Sequence, residues 1–133
     1  MRFYLDASTI VYSVESRSPF REAVLSRLGQ VEGTPGGILL TSRLSRLECR
    51  VKPLRENNAA LLATYEGFFT RALVNVIEIG PNIVERATEL RARYGLKTPD
   101  AIHVATAIEE HADLLLTGDR ELARCGEVKV EIL

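Results

Sequence analysis

The sequence predicts an α/β fold with a central parallel β-sheet flanked by helices on both faces. Short apolar runs of strand length alternate with longer stretches that have helical spacing. The apolar runs contain few polar residues, which is typical of strands that are covered on both faces. With 133 residues, of which 46% are hydrophobic and 26% charged, the chain can bury one core. We therefore expect a single domain over residues 1–133.

The expected strands are runs of four to six residues that are apolar or β-branched. The first begins directly after Met1, and the third is the β-branched run after Asn75. In chain order the five expected strands cover residues 2–5, 38–41, 76–79, 114–117 and 128–133.

The expected helices have apolar residues at helical spacing and proline near several of their starts, where proline is tolerated. Pro19 and Pro81 open two of them, and Thr98 is expected to cap a third whose first turn contains Pro99. Pro53 is expected to end the helix that precedes it. The expected helices cover residues 8–15, 19–30, 42–51, 56–73, 81–95 and a stretch from 98, with a helical turn at 120–124.

Charge and composition exclude several classes of protein. The 17 Lys and Arg residues against 18 Asp and Glu residues argue against a generally basic nucleic-acid binder. No apolar run approaches the roughly 18 residues of a membrane span, and charges appear before a signal-peptide core could form. We expect a soluble cytoplasmic protein with no membrane partner, whose Cys49 and Cys125 are reduced, buried thiols.

Glu48 stands on a helix face that its spacing assigns to the core. Leu44, Leu47 and Val51 form an apolar stripe on the helix 42–51, and Glu48 falls within it. A buried carboxylate is costly unless a cation or a hydrogen-bond partner compensates it. The alternative is a glutamate at the edge of the stripe that reaches solvent or pairs with an arginine.

Asp100 repeats this pattern on the helix that starts at residue 98. It projects from the face that Val104, Ala107 and Ile108 define as packed. The alternative is an aspartate that is favoured in a first turn by the helix dipole.

Asp6 and Asp119 each follow a predicted strand and precede a helix. Because ligands bind beyond the carboxyl ends of strands in open α/β sheets, both should lie at the ligand-binding edge. Ser8 and Thr117 offer hydroxyls in the same neighbourhood. The alternative is that each aspartate only caps the helix that follows it.

Four carboxylates at one edge of a sheet would repel one another strongly. Such a group is tolerated when hard divalent cations lie between the acids, and oxygen ligands suit Mg²⁺ or Mn²⁺. Ions of this kind activate water and stabilise the oxygens in phosphoryl displacement. The residues by themselves therefore indicate metal-dependent phosphate chemistry.

The chain resembles PIN-domain ribonucleases, and among them the VapC-type toxins of prokaryotic toxin–antitoxin pairs. Four motifs in order carry this resemblance, which covers nearly the whole chain. They are Asp6-Ala7-Ser8, the stretch 42–48 that ends at Glu48, the stretch Thr98-Pro99-Asp100-Ala101-Ile102-His103, and Leu116-Thr117-Gly118-Asp119. Gly118 stands where the family often has asparagine.

The resemblance implies a PIN-like domain that hydrolyses RNA phosphodiesters with Mg²⁺ or Mn²⁺. It implies that Asp6, Glu48, Asp100 and Asp119 form the catalytic and metal-binding site. It also implies supporting hydroxyl roles for Ser8 and Thr117, a homodimer, and a cognate antitoxin that inserts a segment near the site. The sequence therefore predicts an endoribonuclease toxin of a type II pair.

Other residues near these motifs have less specific roles. Arg43, Arg46 and Arg50 form a basic face on the helix that carries Glu48, and they are candidates for contacts with RNA phosphates. A solvated surface face is the alternative. His103 is expected to be packed and hydrogen-bonded near the site, with a contact to substrate or to a carboxylate as the alternative. Tyr65, Phe68 and Phe69 are expected in the core or at a dimer contact.

Two other functions remain open from the sequence. A phosphoaspartate receiver or small phosphatase would also place an aspartate at a strand end, with Lys97 as its lysine. Against this, Ser8 stands where the phosphatase pattern needs a second aspartate, and a receiver expects adjacent acids after its first strand. The other alternative is a non-catalytic PIN-like binding module.

Overall fold

Five strands form one parallel sheet in the computed structural model, which describes residues 1–15 and 19–133. They are β1 (Arg2–Leu5), β2 (Ile38–Ser42), β3 (Val74–Ile77), β4 (Leu114–Thr117) and β5 (Val130–Ile132). The strand order is β3-β2-β1-β4-β5, and every neighbouring pair is parallel. The predicted α/β class is therefore confirmed.

Six α-helices connect these strands within the described residues. They are α1 (Ala7–Val14), α2 (Phe20–Glu32), α3 (Arg43–Arg55), α4 (Ala59–Phe69), α5 (Pro81–Tyr94) and α6 (Thr98–Glu109), and a 3₁₀ helix covers Arg120–Arg124. None of the helices in the described part of the chain has the length and apolarity that a membrane span requires.

The sheet separates two hydrophobic cores, because side chains of a strand alternate between its faces. Phe3 and Leu5 of β1 point into what we term the first core, under α1, α2, α3 and α4. Tyr4, between them, points into the second core, under α5 and α6. Tyr65, Phe68 and Phe69 lie in the first core, as expected from their spacing.

The strand order brings acids that are distant in the sequence to the same edge of the sheet. The chain proceeds from β1 to β2 and β3 on one side, and then returns to place β4 on the other side of β1. The carboxyl ends of β1 and β4 therefore flank the point at which the order reverses, which is where open α/β sheets bind ligands. Asp6 follows β1 directly, and Asp119 lies two residues after β4.

Several predicted boundaries were wrong. The helix expected from residue 56 begins at Ala59, because Asn57 adopts a positive φ of 52° and Asn58 caps the helix through the Leu61 amide. It also ends at Phe69 instead of residue 73. The third strand begins two residues early, at Val74, and the last strand is confined to Val130–Ile132.

Pro53 does not end α3 as expected, because the helix continues to Arg55. The proline lies in the last turn and is buried, so the turn keeps its shape although one N–H donor is missing.

The prediction that the apolar stripe of α3 faces the core was also wrong. The buried face of α3 carries Ser45 and Cys49, whereas Leu47 is 58% exposed and Val51 is 43% exposed. Small side chains allow α3 to approach α1 closely, and the Cys49 thiol lies 4.0 Å from the Ala7 carbonyl oxygen. Glu48 therefore lies at the surface and not inside a core, so its expected burial does not account for its position.

Candidate active site

Asp6 is held rigidly at the carboxyl end of β1. Its side chain is 5% exposed and accepts hydrogen bonds from donors on both sides. Oδ1 accepts from the Ser8 hydroxyl at 2.7 Å and from the Thr9 amide and hydroxyl at 3.0 Å each. Oδ2 accepts from the Thr117 hydroxyl. The bond from the Thr9 amide also caps α1, so the aspartate is a helix cap as well as a candidate site residue.

The two predicted hydroxyls join Asp6 to the loop after β4. The Ser8 hydroxyl accepts from the Gly118 amide at 3.0 Å while it donates to Asp6. The Thr117 hydroxyl accepts from the Asp119 amide at 2.9 Å. Asp119 in turn accepts from the Glu121 amide at 2.9 Å and caps the 3₁₀ helix. Residues from the two ends of the chain thus form one hydrogen-bonded unit.

Tyr12 packs against the backbone of this loop at Gly118. A Cβ atom at Gly118 would lie 2.4 Å from the Tyr12 hydroxyl oxygen, well inside van der Waals contact. The Tyr12 ring is in turn stacked on Phe20, with centroids 4.9 Å apart. Any side chain at position 118 would therefore require the Tyr12 ring to move away from its stacked position on Phe20.

Asp100 reaches the same edge from α6. Because α6 leads into β4, its first turn lies near the carboxyl ends of the strands, and Asp100 is in that turn. Thr98 and Pro99 lie within the helix, and the cap position is taken by Lys97, so the expected capping role of Thr98 was wrong.

Burial and neighbouring carboxylates change the acidity of Asp100. Burial raises the pKa of its carboxyl group, and the charges of Asp119 and Asp6 raise it further. The charges of His103 and Lys97 offset part of this rise. Asp6, Asp100 and Asp119 are therefore close enough for their charges to act on one another.

Glu48 reaches the site through His103. The imidazole Nε2 lies 2.8 Å from Glu48 Oε1, and Nδ1 lies 2.7 Å from the Tyr4 hydroxyl oxygen. His103 is 3% exposed and Tyr4 is completely buried, with their rings edge to face at a centroid distance of 5.9 Å. Sequence reasoning placed His103 near the site but missed Tyr4, whose only sequence signal is a phenol in an otherwise apolar strand.

The negative charge of the site raises the pKa values of two buried groups beneath it, in addition to the effect of burial. Burial raises the pKa of the Cys49 thiol to about 12, and the charges of Glu48 and Asp6 add to this effect. Burial likewise raises the pKa of the Tyr4 phenol far above its usual value, against the hydroxyls of Ser42 and Thr106 that lower it. Both groups keep their protons at neutral pH.

No lysine or arginine of the described residues pairs with the four predicted acids. The ion-pair partner of Glu48 among the described residues is the His103 imidazole. Glu15, Glu66 and Glu131, in contrast, each pair with a lysine or an arginine. Within residues 1–15 and 19–133, no three His, Cys, Asp or Glu side chains are placed closely enough to hold a metal ion together. The acids thus lie at one edge of the sheet and lack a lysine or arginine ion pair, and the described residues do not form a closed metal site.

The three predicted arginines are paired with glutamates. Arg46 and Arg50 both reach Glu66 of α4, at 2.7 and 3.5 Å, and the Arg46 guanidinium lies over an aromatic ring of the first core. Arg43 pairs with Glu78 at 2.8 Å, just after β3. Arg43 alone is near the edge of the sheet that carries the acids, and its side chain is 54% exposed.

The sequence matches the family model of the PIN domain over residues 3–128. No curated protein matches the chain in sequence.

Several solved structures share the fold. The chain is similar to VapBC2 of Rickettsia felis, bound to a DNA fragment from its promoter, with a TM-score of 0.82 and 16% identity, covering 100% of this chain and 99% of that one. DNA-bound VapBC of Salmonella typhimurium gives 0.77 and 18%, covering 99% and 98%. Mycobacterium tuberculosis VapC20, a toxin that cleaves the sarcin–ricin loop, gives 0.74 and 17%, covering 96% and 98%.

Proposed function

The chain belongs to the PIN domain family, and from this premise we propose that it is a metal-dependent endoribonuclease, the toxin of a type II toxin–antitoxin pair. One observation carries the proposal. Asp6, Asp100 and Asp119 act on one another electrostatically, Glu48 adjoins them through His103, and none of the four has a lysine or arginine ion-pair partner among the described residues. A cluster of negative charge at a topological switch point is suited to a cation and a phosphate substrate.

The donor set fits Mg²⁺ or Mn²⁺, because these hard ions prefer carboxylate oxygens. Burial is the largest cause of the raised pKa of Asp100, and the charges of Asp119 and Asp6 add to it; a cation between these carboxylates would relieve their repulsion. Asp6, Glu48, Asp100 and Asp119 would hold the ion. When bound, it would supply an activated water and would offset the charge that develops on the phosphate.

The residues around the acids hold them in place. Ser8 and Thr117 fix both oxygens of Asp6, and the same two hydroxyls fix the amides of Gly118 and Asp119. Because the Asp6 carboxylate is held rigidly, its oxygens would stay directed at one point, and the side chain would need little rearrangement during the reaction.

The arginines of α3 are proposed to bind RNA phosphates in place of the glutamates with which they now pair. Arg43 is the best placed, because it lies at the acid edge and its glutamate partner is also exposed. Arg46 and Arg50 would have to leave Glu66 before they could bind a phosphate.

A homodimer and an antitoxin are proposed as partners. The exposed apolar side chains of α3, Leu47, Val51 and Leu54, form a surface that a partner would cover. VapBC complexes are among the structures that share this fold, which supports an antitoxin as one such partner.

Cleavage of total cellular RNA with Mn²⁺ tests the proposal. We expect the wild type to cleave, and Asp6→Asn, Asp100→Asn and the addition of EDTA each to reduce cleavage by at least about 100-fold. Asp113→Asn is a matched control, since Asp113 lies at the opposite end of β4 and accepts from the Arg2 amide at 2.8 Å. The control should cleave as the wild type does.

Two results would overturn the proposal. Cleavage that persists in both variants would place the site elsewhere or identify a contaminating nuclease. A melting temperature that rises with Mn²⁺ while no RNA is cleaved would favour the non-catalytic binding module. The strand order argues against a receiver domain, because receivers have the order 2-1-3-4-5 and this sheet has 3-2-1-4-5.

A further inference from the structure

A continuous chain of hydrogen bonds runs from the second core to the candidate active site. It begins at the Tyr4 phenol, passes through both nitrogens of His103 and ends at Glu48 Oε1, with distances of 2.7 and 2.8 Å. Tyr4 lies on the central strand and His103 on α6, and both are buried. Glu48 is the only member of the chain that reaches the surface.

The direction of each hydrogen bond follows from the chemistry of its two ends. A carboxylate only accepts, so the proton between His103 and Glu48 must lie on Nε2. In the neutral form of the imidazole, Nδ1 then has a lone pair, and the hydroxyl group of Tyr4 is the donor that fills it. Tyr4 thus selects the tautomer that aims an N–H at Glu48.

The other predicted acids are held differently. Asp6 accepts four hydrogen bonds from Ser8, Thr9 and Thr117, so its own elements hold it. Glu48 stands on a helix face with exposed neighbours, and its only ion-pair partner among the described residues is the imidazole. Without that contact, a flexible glutamate side chain would sample several rotamers at the surface.

We infer that His103, fixed by Tyr4, is a positioning residue that holds the Glu48 carboxylate ready for the divalent cation. This inference rests on the proposed function and adds to it the device that completes the metal site. Hydrogen-bonded partners of metal-binding carboxylates typically change metal affinity by about 10- to 100-fold when they are removed.

The test measures Mn²⁺ affinity directly, by calorimetry or by the electron paramagnetic resonance signal of free Mn²⁺. We expect His103→Leu to weaken binding by about 10- to 100-fold. His103→Gln should restore most of the affinity, because its amide nitrogen replaces Nε2 as the donor. Tyr4→Phe should weaken binding by about fivefold, which is the size of one lost hydrogen bond.

Tyr65→Phe is the matched control, because Tyr65 is also completely buried and its hydroxyl bonds Glu15, which lies outside the predicted site. It should bind Mn²⁺ as the wild type does. Cleavage of RNA by Tyr4→Phe should recover as the Mn²⁺ concentration is raised, which a general loss of structure would not allow.

The outcomes separate this inference from the proposed function. Wild-type protein that neither binds Mn²⁺ nor cleaves RNA would overturn both. Wild-type activity together with unchanged Mn²⁺ affinity in Tyr4→Phe would overturn the positioning role alone. Tyr4→Phe decides the matter even when His103→Leu fails to fold, because it removes one hydroxyl and keeps the ring.

Discussion

Each face of the sheet buries one tyrosine completely. Each phenol is linked by hydrogen bonds to a glutamate, and the two glutamates have different partners. In the first core, Tyr65 donates to Glu15, and the Lys52 ammonium binds the other oxygen of that glutamate at 2.8 Å. In the second core, Tyr4 leads through His103 to Glu48. No lysine or arginine of the described residues closes this second chain.

The difference separates Glu48, an acid of the proposed site, from Glu15, whose charge is paired within the protein. Both chains use a buried phenol and a glutamate near the surface, so neither residue type is diagnostic. In the first core the negative charge is neutralised by Lys52 within the protein. In the second core the charge remains available for a ligand, which is what a cation site requires.

The test with the largest expected effect removes the charge of each glutamate in turn. Glu48→Gln should reduce RNA cleavage by about 100-fold, because a charge that holds the cation is lost. Glu15→Gln should leave cleavage within about twofold of the wild type, because Lys52 already neutralises that carboxylate. Single-turnover cleavage of total RNA measures both variants. Equal losses would show that the two chains do not differ in function.

A second test fills the space beside Gly118, in the loop after β4 that the Ser8 hydroxyl joins to Asp6. Gly118→Ala should lower the free energy of unfolding by about 1–3 kcal/mol, because its Cβ would overlap the Tyr12 ring. The double variant Gly118→Ala with Tyr12→Leu should lose less than the sum of the two single variants. Urea unfolding measures all three, and strictly additive losses would contradict the close packing at this loop.

The smallest expected effect concerns the hydrogen bonds that join Tyr65, Glu15 and Lys52, which we term the closed chain because Lys52 neutralises its carboxylate. The stability that these bonds provide should depend on pH. Burial raises the pKa of Glu15, but hydrogen bonds from Lys52 and Tyr65 and the charge of Lys52 outweigh it and hold the pKa below its usual value. The stabilisation is therefore complete above the unfolded pKa of about 4.3 and is lost as the pH falls through the folded pKa.

Glu15→Gln should therefore cost about 1 kcal/mol at pH 7, and this difference from the wild type should shrink as the pH falls below about 4. Urea unfolding at several pH values measures it, with Glu85→Gln on an exposed helix face as the control. A difference that stays constant with pH would show that the carboxylate charge of Glu15 is not what stabilises the closed chain.

The strands and their acids were predictable where the signal is local. The apolar runs at 2–5 and 114–117 coincide with β1 and β4, because central parallel strands are buried on both faces and show this in their composition. Parallel strands also share one carboxyl edge, so Asp6 and Asp119 could be expected together there.

The remainder depends on packing that the sequence does not express locally. The outward direction of Leu47 and Val51 follows from the close approach of α3 to α1, which is set by the small side chains on its other face. The contact of Tyr4 with His103 and Glu48 joins three separate elements. Its existence depends on the lateral order of the sheet, which periodicity does not reveal.

The pairing of β1 with β4 has a consequence for a nascent chain. Asp6 is synthesised early, but the hydroxyl that binds its Oδ2 comes from Thr117, 111 residues later. Contacts between such distant residues form late, because a long loop must first close. A growing polypeptide thus cannot complete the hydrogen bonds around Asp6 until most of its length has been synthesised, so the proposed activity would be withheld while the chain is still on the ribosome.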